Sequence, residues 1–331
     1  MDWGSILENG LKAAIGDFAA VFALAAIGLN VHFGYTGLLN FGQVGFMAVG
    51  AYGIAVAVTY LGVSMWVGLA VGLGASVVLA LLLGLPTLRL RADYLAIVTI
   101  AASEIVRLLV RSVSLREYTG GSSGLTQFAD DFYDVNPFSP GRYGIDPITF
   151  TERQTWLLLV AWLAVAIAAA MVFVLMRSPW GRILKSIRED EDAVRSLGKN
   201  VYWYKMQSLL FGGILGSIAG FVLAISTQSV QPDTFSPDLT FFAYVVLILG
   251  GTARVLGPVI GAMIFWMLLS FSDNLLRQAV REEIIPTAIM DGVQVGQVRF
   301  MLVGLALMML MAFRPQGIFG DRREIELDVR R

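Results

Sequence analysis

Long apolar runs dominate this sequence and restrict the folds that it can adopt. A helix that crosses the hydrocarbon core of a bilayer needs about 20 apolar residues. Of the 331 residues, 56% are hydrophobic and only 15% are charged, so a soluble domain of this size would lack the charged exterior that water requires. We therefore expect an all-α, polytopic membrane helix bundle rather than a soluble enzyme. The runs lie at about 13–31, 38–61, 65–88, 93–112, 155–176, 206–226, 240–271 and 299–313.

The run at 240–271 is too long for one plain crossing. Glycine, arginine and proline residues interrupt it at Gly250, Gly251, Arg254, Gly257 and Pro258. We interpret the run as two short crossings, or two half-helices, hinged at Arg254. The prediction is then about nine crossings, some of them broken, in a single transmembrane domain that occupies 1–331. The short Gly-rich connection at 32–37 could instead form a re-entrant loop.

The placement of charge predicts the orientation of the bundle. Segment 177–205 holds seven basic residues against four acidic ones, whereas segment 113–154 holds three against six. Loops rich in Lys and Arg stay in the cytoplasm. We therefore expect 177–205 on the cytoplasmic side of the membrane and 113–154 on the outer side. Alternation along nine crossings then places the N-terminus outside, and Arg254 and the tail at 314–331 inside. The remaining inside loop carries Arg89 and Arg91.

Residues needed for several kinds of chemistry are scarce or absent in the sequence. There is no cysteine and one histidine, His32, which we expect at the surface because it lies at a predicted end of a crossing. No phosphate-binding loop occurs, since Lys199, the lysine that follows a glycine, precedes Asn200, and residue 193 is Ala. We predict no catalytic site, metal or cofactor, and ATP, if involved, binds a separate subunit. The net charge of −1 argues against a nucleic-acid partner.

Amides and glycines cluster early in the chain, inside apolar runs. Asn30, Asn40 and Gln43 would leave unpaired polar groups in lipid, so they are expected to face protein or a wet cavity. Glycine-broken helices with inward polar groups line the path of many transporters. On one reading Asn40 and Gln43, with Gly42 and Gly45, line a substrate path. On the other, the amides of a dense bundle bond across helices, and the sequence leaves both open.

Two charged residues fall inside the run at 93–112. Glu104 and Arg107 are three residues apart and share a helix face. A charge in the bilayer core costs about 2.5–3.5 kcal/mol on insertion scales, so each is expected to find a partner inside the bundle. The pair could form a gate, but we favour an intramembrane ion pair that locks two helices together.

A faint internal similarity suggests two related halves. The stretches 42–52 and 257–266 each place a glycine-led turn before a helix of small residues. Related halves around a central path are common in transporters, although two short glycine-rich stretches can match by chance.

Segment 177–205, here called the coupling segment, predicts a pair of extramembrane helices. Ser178 and Pro179 form a helix start signal, and Gly198 sits where a left-handed residue ends a helix. Apolar residues at Ile183, Ile187, Val194 and Leu197 are spaced to share one face. Such a unit, attached at both ends to crossings, can move those crossings when a partner docks on it. A solvated loop without a partner is the alternative.

These residues lead to a family resemblance. The run from Gly28 to Tyr52 resembles the early signature of branched-chain amino acid ABC importer permeases of the LivM type. Five further motifs match that family in order along almost the whole chain. They are RADYLAIVTIAASEIVRLL (91–109), TGGSSGL (119–125), SPWGRILKSIREDEDAVRSLGKNV (178–201), GGTARVLGPVIGA (250–262) and FRPQGIFG (313–320).

The resemblance implies an ABC importer permease fold and specific residues for ATPase coupling. Glu191, Asp192, Ala193 and Gly198 occupy the E-x-A…G positions of the family's EAA-like loop, together with Arg188 just before it. Asp192 replaces the usual small residue, which is a mild departure. The long segment 113–154 and the FRPQGIFG ending favour the LivM type.

The resemblance also implies partners and a function. It implies a second, related permease, two ATP-binding subunits and an extracellular solute-binding protein, in an importer of branched-chain amino acids. A permease for urea or short amides in the same family is an alternative, as is a secondary transporter that acts alone. A membrane-embedded enzyme and a purely structural membrane subunit are the more distant alternatives.

Overall fold

The computed structural model describes residues 2–88, 92–282, 294–314 and 316–320. These ranges form an almost entirely helical bundle. The helices are α1 (Trp3–Ala14), α2 (Asp17–Leu29), α3 (Gln43–Thr59), α4 (Met65–Thr87), α5 (Ala92–Arg111), α6 (Arg116–Thr119), α7 (Asp130–Asp134), α8 (Glu152–Arg177), α9 (Pro179–Glu189), α10 (Glu191–Ser196), α11 (Val201–Thr227), α12 (Asp238–Gly250), α13 (Gly257–Arg281) and α14 (Val295–Phe313).

The all-α fold class is confirmed, with small additions that the sequence did not indicate. A π-helical turn, Asn30–Tyr35, continues α2, and three 3₁₀ turns occur at Val113–Leu115, Gly121–Ser123 and Pro232–Phe235. Two short antiparallel pairs join β1 (Leu125–Thr126) to β4 (Ser229–Val230) and β2 (Arg142–Ile145) to β3 (Ile148–Thr151).

Helices lie at all nine predicted crossings, but they differ in length. Among the described residues, six helical stretches are long and apolar enough to cross a bilayer: Trp3–Tyr35, α4, α8, α11, α13 and α14. Two others, α3 with 17 residues and α12 with 13, are apolar but short. The remaining one, α5, is 20 residues long and carries four charged residues. The run at 240–271 is broken into α12 and α13, as its glycines indicate.

The loops lie at two ends of the bundle. At the end that carries α9 and α10, here called the coupling end, the Arg188 side chain bonds the carbonyl oxygen of Gly34, and the Tyr202 hydroxyl bonds that of Leu85. At the opposite end β1 pairs with β4, and the rings of Tyr60 and Tyr118 lie 4.6 Å apart. Segment 113–154 and the coupling segment therefore lie at different ends. Arg89, Arg91, residues 283–293 and the tail from 321 onward lie outside the described residues.

Each of the two short helices spans only part of the length of the bundle, α3 the part toward the opposite end and α12 the part toward the coupling end. After the π turn the chain runs without regular structure from 37 to 42 and reaches the start of α3 near the middle of α11. From there α3 runs toward the opposite end. Beyond α11, segment 229–237 descends from the opposite end, and α12 then runs to the coupling end. The first turns of α3 and α12 meet, because the backbone N–H of Val44 donates to Thr240 Oγ1 (2.9 Å).

Small residues allow the helices around this meeting point to pack closely. A Cβ placed on Gly50 would lie 2.5 Å from Ser217 Oγ of α11, and one on Gly53 would collide with the Cα of Gly72 in α4. In lipid, where apolar side chains gain little by leaving the solvent, such backbone approach supplies the packing energy. The glycine cluster noted in the sequence is thus used for contact between α3, α4 and α11.

Candidate functional site

The coupling segment folds into the helix pair that its sequence predicts. Ser178 and Pro179 begin α9 at its N-cap and first turn, and the Asp190 carboxylate caps α10 by accepting from the N–H groups of Asp192 and Ala193 (both 3.0 Å). Gly198 ends the pair with a φ of +75°, a left-handed conformation that favours glycine. The segment is therefore a defined helical unit and not an extended loop.

The same segment has one buried face and one exposed face. Leu184, Ile187 and Val194 are buried, whereas Leu197, which the spacing places on the apolar face, is 79% exposed. That expectation for Leu197 was wrong, because Leu197 lies at the C-cap of α10, beyond its last residue Ser196. Asp192, Ala193 and Gly198 are exposed as well.

Side-chain bonds hold the coupling segment to the transmembrane helices. Arg188 Nη1 donates to the carbonyl oxygen of Gly34 in the π turn (2.5 Å), and Lys205 of α11 forms an ion pair with Glu191. Trp180 Nε1 donates to Gln207 Oε1 of α11 (2.7 Å). These bonds join α9 and α10 to the π turn and to α11.

His32 in the π turn, Asn40 and Gln43 form a buried polar cluster, here called the central network. The N–H of Gly42 donates to Asn40 Oδ1 (2.9 Å), which orients the amide so that Asn40 Nδ2 donates to His32 Nδ1 (3.0 Å). A neutral imidazole protonated on Nε2 then donates to the carbonyl oxygen of Leu209 (3.2 Å). Gln43 Nε2 donates to the carbonyl oxygen of Gly212 (3.0 Å), so α11 is bonded twice.

Hydroxyls from two other helices complete the start of α3. The N–H of Phe41 donates to Thr99 Oγ1 of α5 (3.0 Å), and Thr240 of α12 accepts from Val44. The Tyr244 hydroxyl of α12 donates to the carbonyl oxygen of Asn40 (2.9 Å), and its ring stacks on Phe41 with centroids 4.6 Å apart. These contacts satisfy N–H groups that a helix start leaves without partners inside the bilayer.

This geometry bears on the two readings of the early amides and corrects the expected position of His32. Asn40 and Gln43 are fully buried and bonded to protein, and Gly42 and Gly45 pack against Thr99 and Ser103 of α5. This is the arrangement expected on the reading of amides bonded across helices, and a substrate path at these residues stays a prediction. His32 is also fully buried, not at the surface, because the π turn extends α2 beyond the predicted end of the crossing.

The Glu104–Arg107 pair forms and belongs to a cluster of four charged residues. Arg107 bonds Glu104 through Nη2 (2.7 Å), and both Arg107 and Arg111 reach Asp233 in the 3₁₀ turn before α12 (3.3 and 2.8 Å). The cluster ties α5 to segment 229–237 near the opposite end. Glu104 and Arg107 both belong to α5, so a lock between two helices stays a prediction.

Several of these residues carry no distinctive sequence signal. Thr99, Thr240 and Tyr244 are single polar residues in apolar runs, and only the tertiary contact reveals their role. The relation between Asp233 and Arg107 is equally long-range. Among the described residues no group of three His, Cys, Asp or Glu side chains could hold a metal ion.

Comparisons with known proteins agree with this architecture. A family model described as the permease component of a branched-chain amino acid transport system matches residues 14–312. The chain is 30% identical to the high-affinity branched-chain amino acid permease LivM of Salmonella typhimurium, over 96% of this chain and 71% of that protein. It is 24% identical to a probable LivM of Methanocaldococcus jannaschii, over 91% of each.

A more distant similarity extends beyond amino acids. The chain is 24% identical to the nucleoside ABC transporter permease NupC of Lactococcus lactis, over 71% of this chain and 74% of that protein. The family match covers most of the chain and agrees with a multi-pass helical bundle. The chain therefore belongs to the family of permease components of branched-chain amino acid transport systems.

Proposed function

We propose that this chain is the permease subunit of an ATP-driven importer of branched-chain or related aliphatic amino acids. In this proposal the coupling end faces the cytoplasm and two ATP-binding subunits dock there, so that ATP binds outside this chain. A second, related permease completes the membrane part, and an extracellular solute-binding protein delivers the substrate. The LivM relatives support the substrate class, and the basic coupling segment supports the orientation.

The observation that carries the proposal is the bond from Arg188 to the π turn. An ATPase that grips the exposed residues Asp192 to Gly198 would pull on α9, and Arg188 would transmit the movement to Gly34. His32 lies in the π turn and accepts a hydrogen bond from Asn40, which lies just before α3. The contact between the first turns of α3 and α12 would then shift as the protein moves between outward- and inward-open states. ATP would change the populations of these two states.

Reconstitution in liposomes tests the function. We expect uptake of radiolabelled leucine only when this chain is combined with its ATPase, the second permease, the binding protein and ATP. Gradient-driven uptake by this chain alone would establish the secondary transporter instead. If urea or a short amide is carried and leucine is not, the alternative substrate class is correct.

The coupling route has a separate test in the same liposomes. Arg188→Ala removes a charged hydrogen bond worth about 1.5–3 kcal/mol, so leucine uptake should fall about tenfold or more while ATP hydrolysis continues. Arg182→Ala is the matched control, since Arg182 is exposed on the same helix. Equal uptake by the two variants would show that Arg188 does not transmit the movement.

A further inference from the structure

A cleft at the coupling end combines an apolar wall with a basic rim. It has a volume of about 860 Å³ and lies between the second half of α8, the start of α13 and α9. Its rim carries three cations, Arg177 at the end of α8, Lys185 on α9 and Arg254 in the turn before α13. None of the described residues that line it is acidic. We call it the basic cleft.

The wall of the basic cleft is shaped for a hydrocarbon chain. Ala166, Ala169 and Ala170 leave a recess along α8, and Ile260 and Leu256 form the other side. From Arg177 to Ala166 the recess extends about 16 Å along the helix. Phe173 is 43% exposed and Leu256 is 61% exposed, so the cleft opens at the side of the bundle.

Two of the three rim cations, Arg177 and Lys185, lie near aromatic rings. The guanidinium carbon of Arg177 lies 3.9 Å from the centre of the Phe173 ring, and Lys185 Nζ lies 5.6 Å from that of Tyr35. Stacking on a ring uses the face of a guanidinium and leaves its in-plane N–H groups for oxygen atoms. A phosphate group matches these donors, because arginine binds it through two parallel hydrogen bonds.

We propose that the basic cleft binds an anionic phospholipid, with its phosphate at Arg177, Lys185 and Arg254 and an acyl chain along the alanine recess. Free phosphate would leave the apolar wall uncovered, and an amino acid would find no carboxylate there for its ammonium group. Basic pockets between crossings at the cytoplasmic face are known sites for anionic headgroups. The proposal needs only that the coupling end lies at a membrane surface, so it survives if the transported substrate is different.

The lipid also has a position from which it can affect transport. Lys185 is on α9, three residues from Arg188, and Tyr35 belongs to the π turn that Arg188 contacts. A bound headgroup would bridge α8, α9 and the α12–α13 turn. It would thereby hold the coupling segment against the bundle.

Lipid retention measured by native mass spectrometry tests the proposal. The full chain, purified with the subunits that accompany it, is loaded from mixed phosphatidylglycerol and phosphatidylcholine nanodiscs. The double variant Arg177→Gln/Lys185→Gln should retain phosphatidylglycerol less tightly, by about fivefold for each cation removed. Its retention of phosphatidylcholine should not change. The matched control is Arg182→Gln/Lys199→Gln, which removes two exposed charges outside the cleft.

A second pair of variants tests the apolar part of the cleft. Ala170→Leu fills the recess and should reduce phosphatidylglycerol retention, whereas Val174→Leu, on an exposed face of the same helix, should not. Equal retention by the Arg177/Lys185 variant and the wild type would overturn the proposal, and so would equal loss in its control. Cross-linking of Ala170→Cys to a second subunit in the complex would identify the cleft as a subunit interface and would also overturn it.

Discussion

Asn40 is the residue on which the central network depends, because its one amide group serves three others. It accepts from the N–H of Gly42 and donates to His32 and Gln43. Replacement by a side chain without polar atoms leaves the N–H of Gly42 and Nδ1 of His32 buried without these partners. Each unsatisfied buried group costs about 1–3 kcal/mol.

We therefore expect Asn40→Leu to lower the midpoint of thermal unfolding of the purified chain in detergent. Asn9→Leu is the control, since Asn9 is exposed at the opposite end and its side chain donates to Asn274 Oδ1 at the surface. The network would have no structural importance if both variants unfolded at the same temperature.

Gly212 is the second residue whose identity the network requires. A Cβ on Gly212 would collide with His32 Nε2 and would lie 2.6 Å from the carbonyl oxygen of Gly28. Gly212→Ala should therefore displace α2 from α11 and destabilise the chain by about 1–3 kcal/mol. Gly74→Ala is its control: no atom lies within 4 Å of the added Cβ, and alanine favours a helix by up to about 1 kcal/mol. A neutral Gly212→Ala in thermal unfolding would contradict the packing described.

At the level of elements, the end of α10 decides how the coupling segment presents its exposed residues. Gly198 has a φ of +75°, and no atom lies within 4 Å of a Cβ placed there. Gly198→Ala thus adds only backbone strain, about 1–2 kcal/mol. We expect it to reshape the end of α10 and to reduce leucine uptake more than ATP hydrolysis in reconstituted liposomes.

Gly62→Ala is the matched control for that experiment. Gly62 has a similar φ of +63°, is free of neighbours within 4 Å of an added Cβ, and lies beyond α3 at the opposite end. The backbone cost is therefore the same at both positions, and only the location differs. Equal losses of uptake would mean that general destabilisation, not coupling, explains the Gly198 result.

At the level of the whole molecule, the proposed orientation makes a direct prediction. The sequence has no cysteine, so single cysteines report on their own surroundings. Ile145 is 86% exposed at the opposite end and Leu197 is 79% exposed at the coupling end. In intact cells a membrane-impermeant maleimide should label Ile145→Cys and should label Leu197→Cys only after permeabilisation. The reverse pattern would place the coupling segment outside the cell and would exclude docking of an ATPase there.

Much of the architecture is readable from one-dimensional patterns. The apolar runs locate the crossing helices, the glycines at 250 and 251 locate a break, and Ser178 with Pro179 locates the start of α9. These features are local, since helix length, caps and left-handed residues depend on neighbours in the sequence. The charge of the loops likewise requires no knowledge of contacts. For the same reason the helix pair of the coupling segment was predictable.

The tertiary structure alone decided which polar groups meet. Ten consecutive residues of α2, from Ala20 to Leu29, are buried, so no amphipathic pattern shows which face of this helix meets which neighbour. The spacing of residues in the sequence therefore could not show that His32 bonds Leu209 or that Tyr244 bonds Asn40. In a helix that is apolar all round, rotation and partner are fixed by close packing and by the need to satisfy every buried polar atom, and both depend on residues distant in the chain.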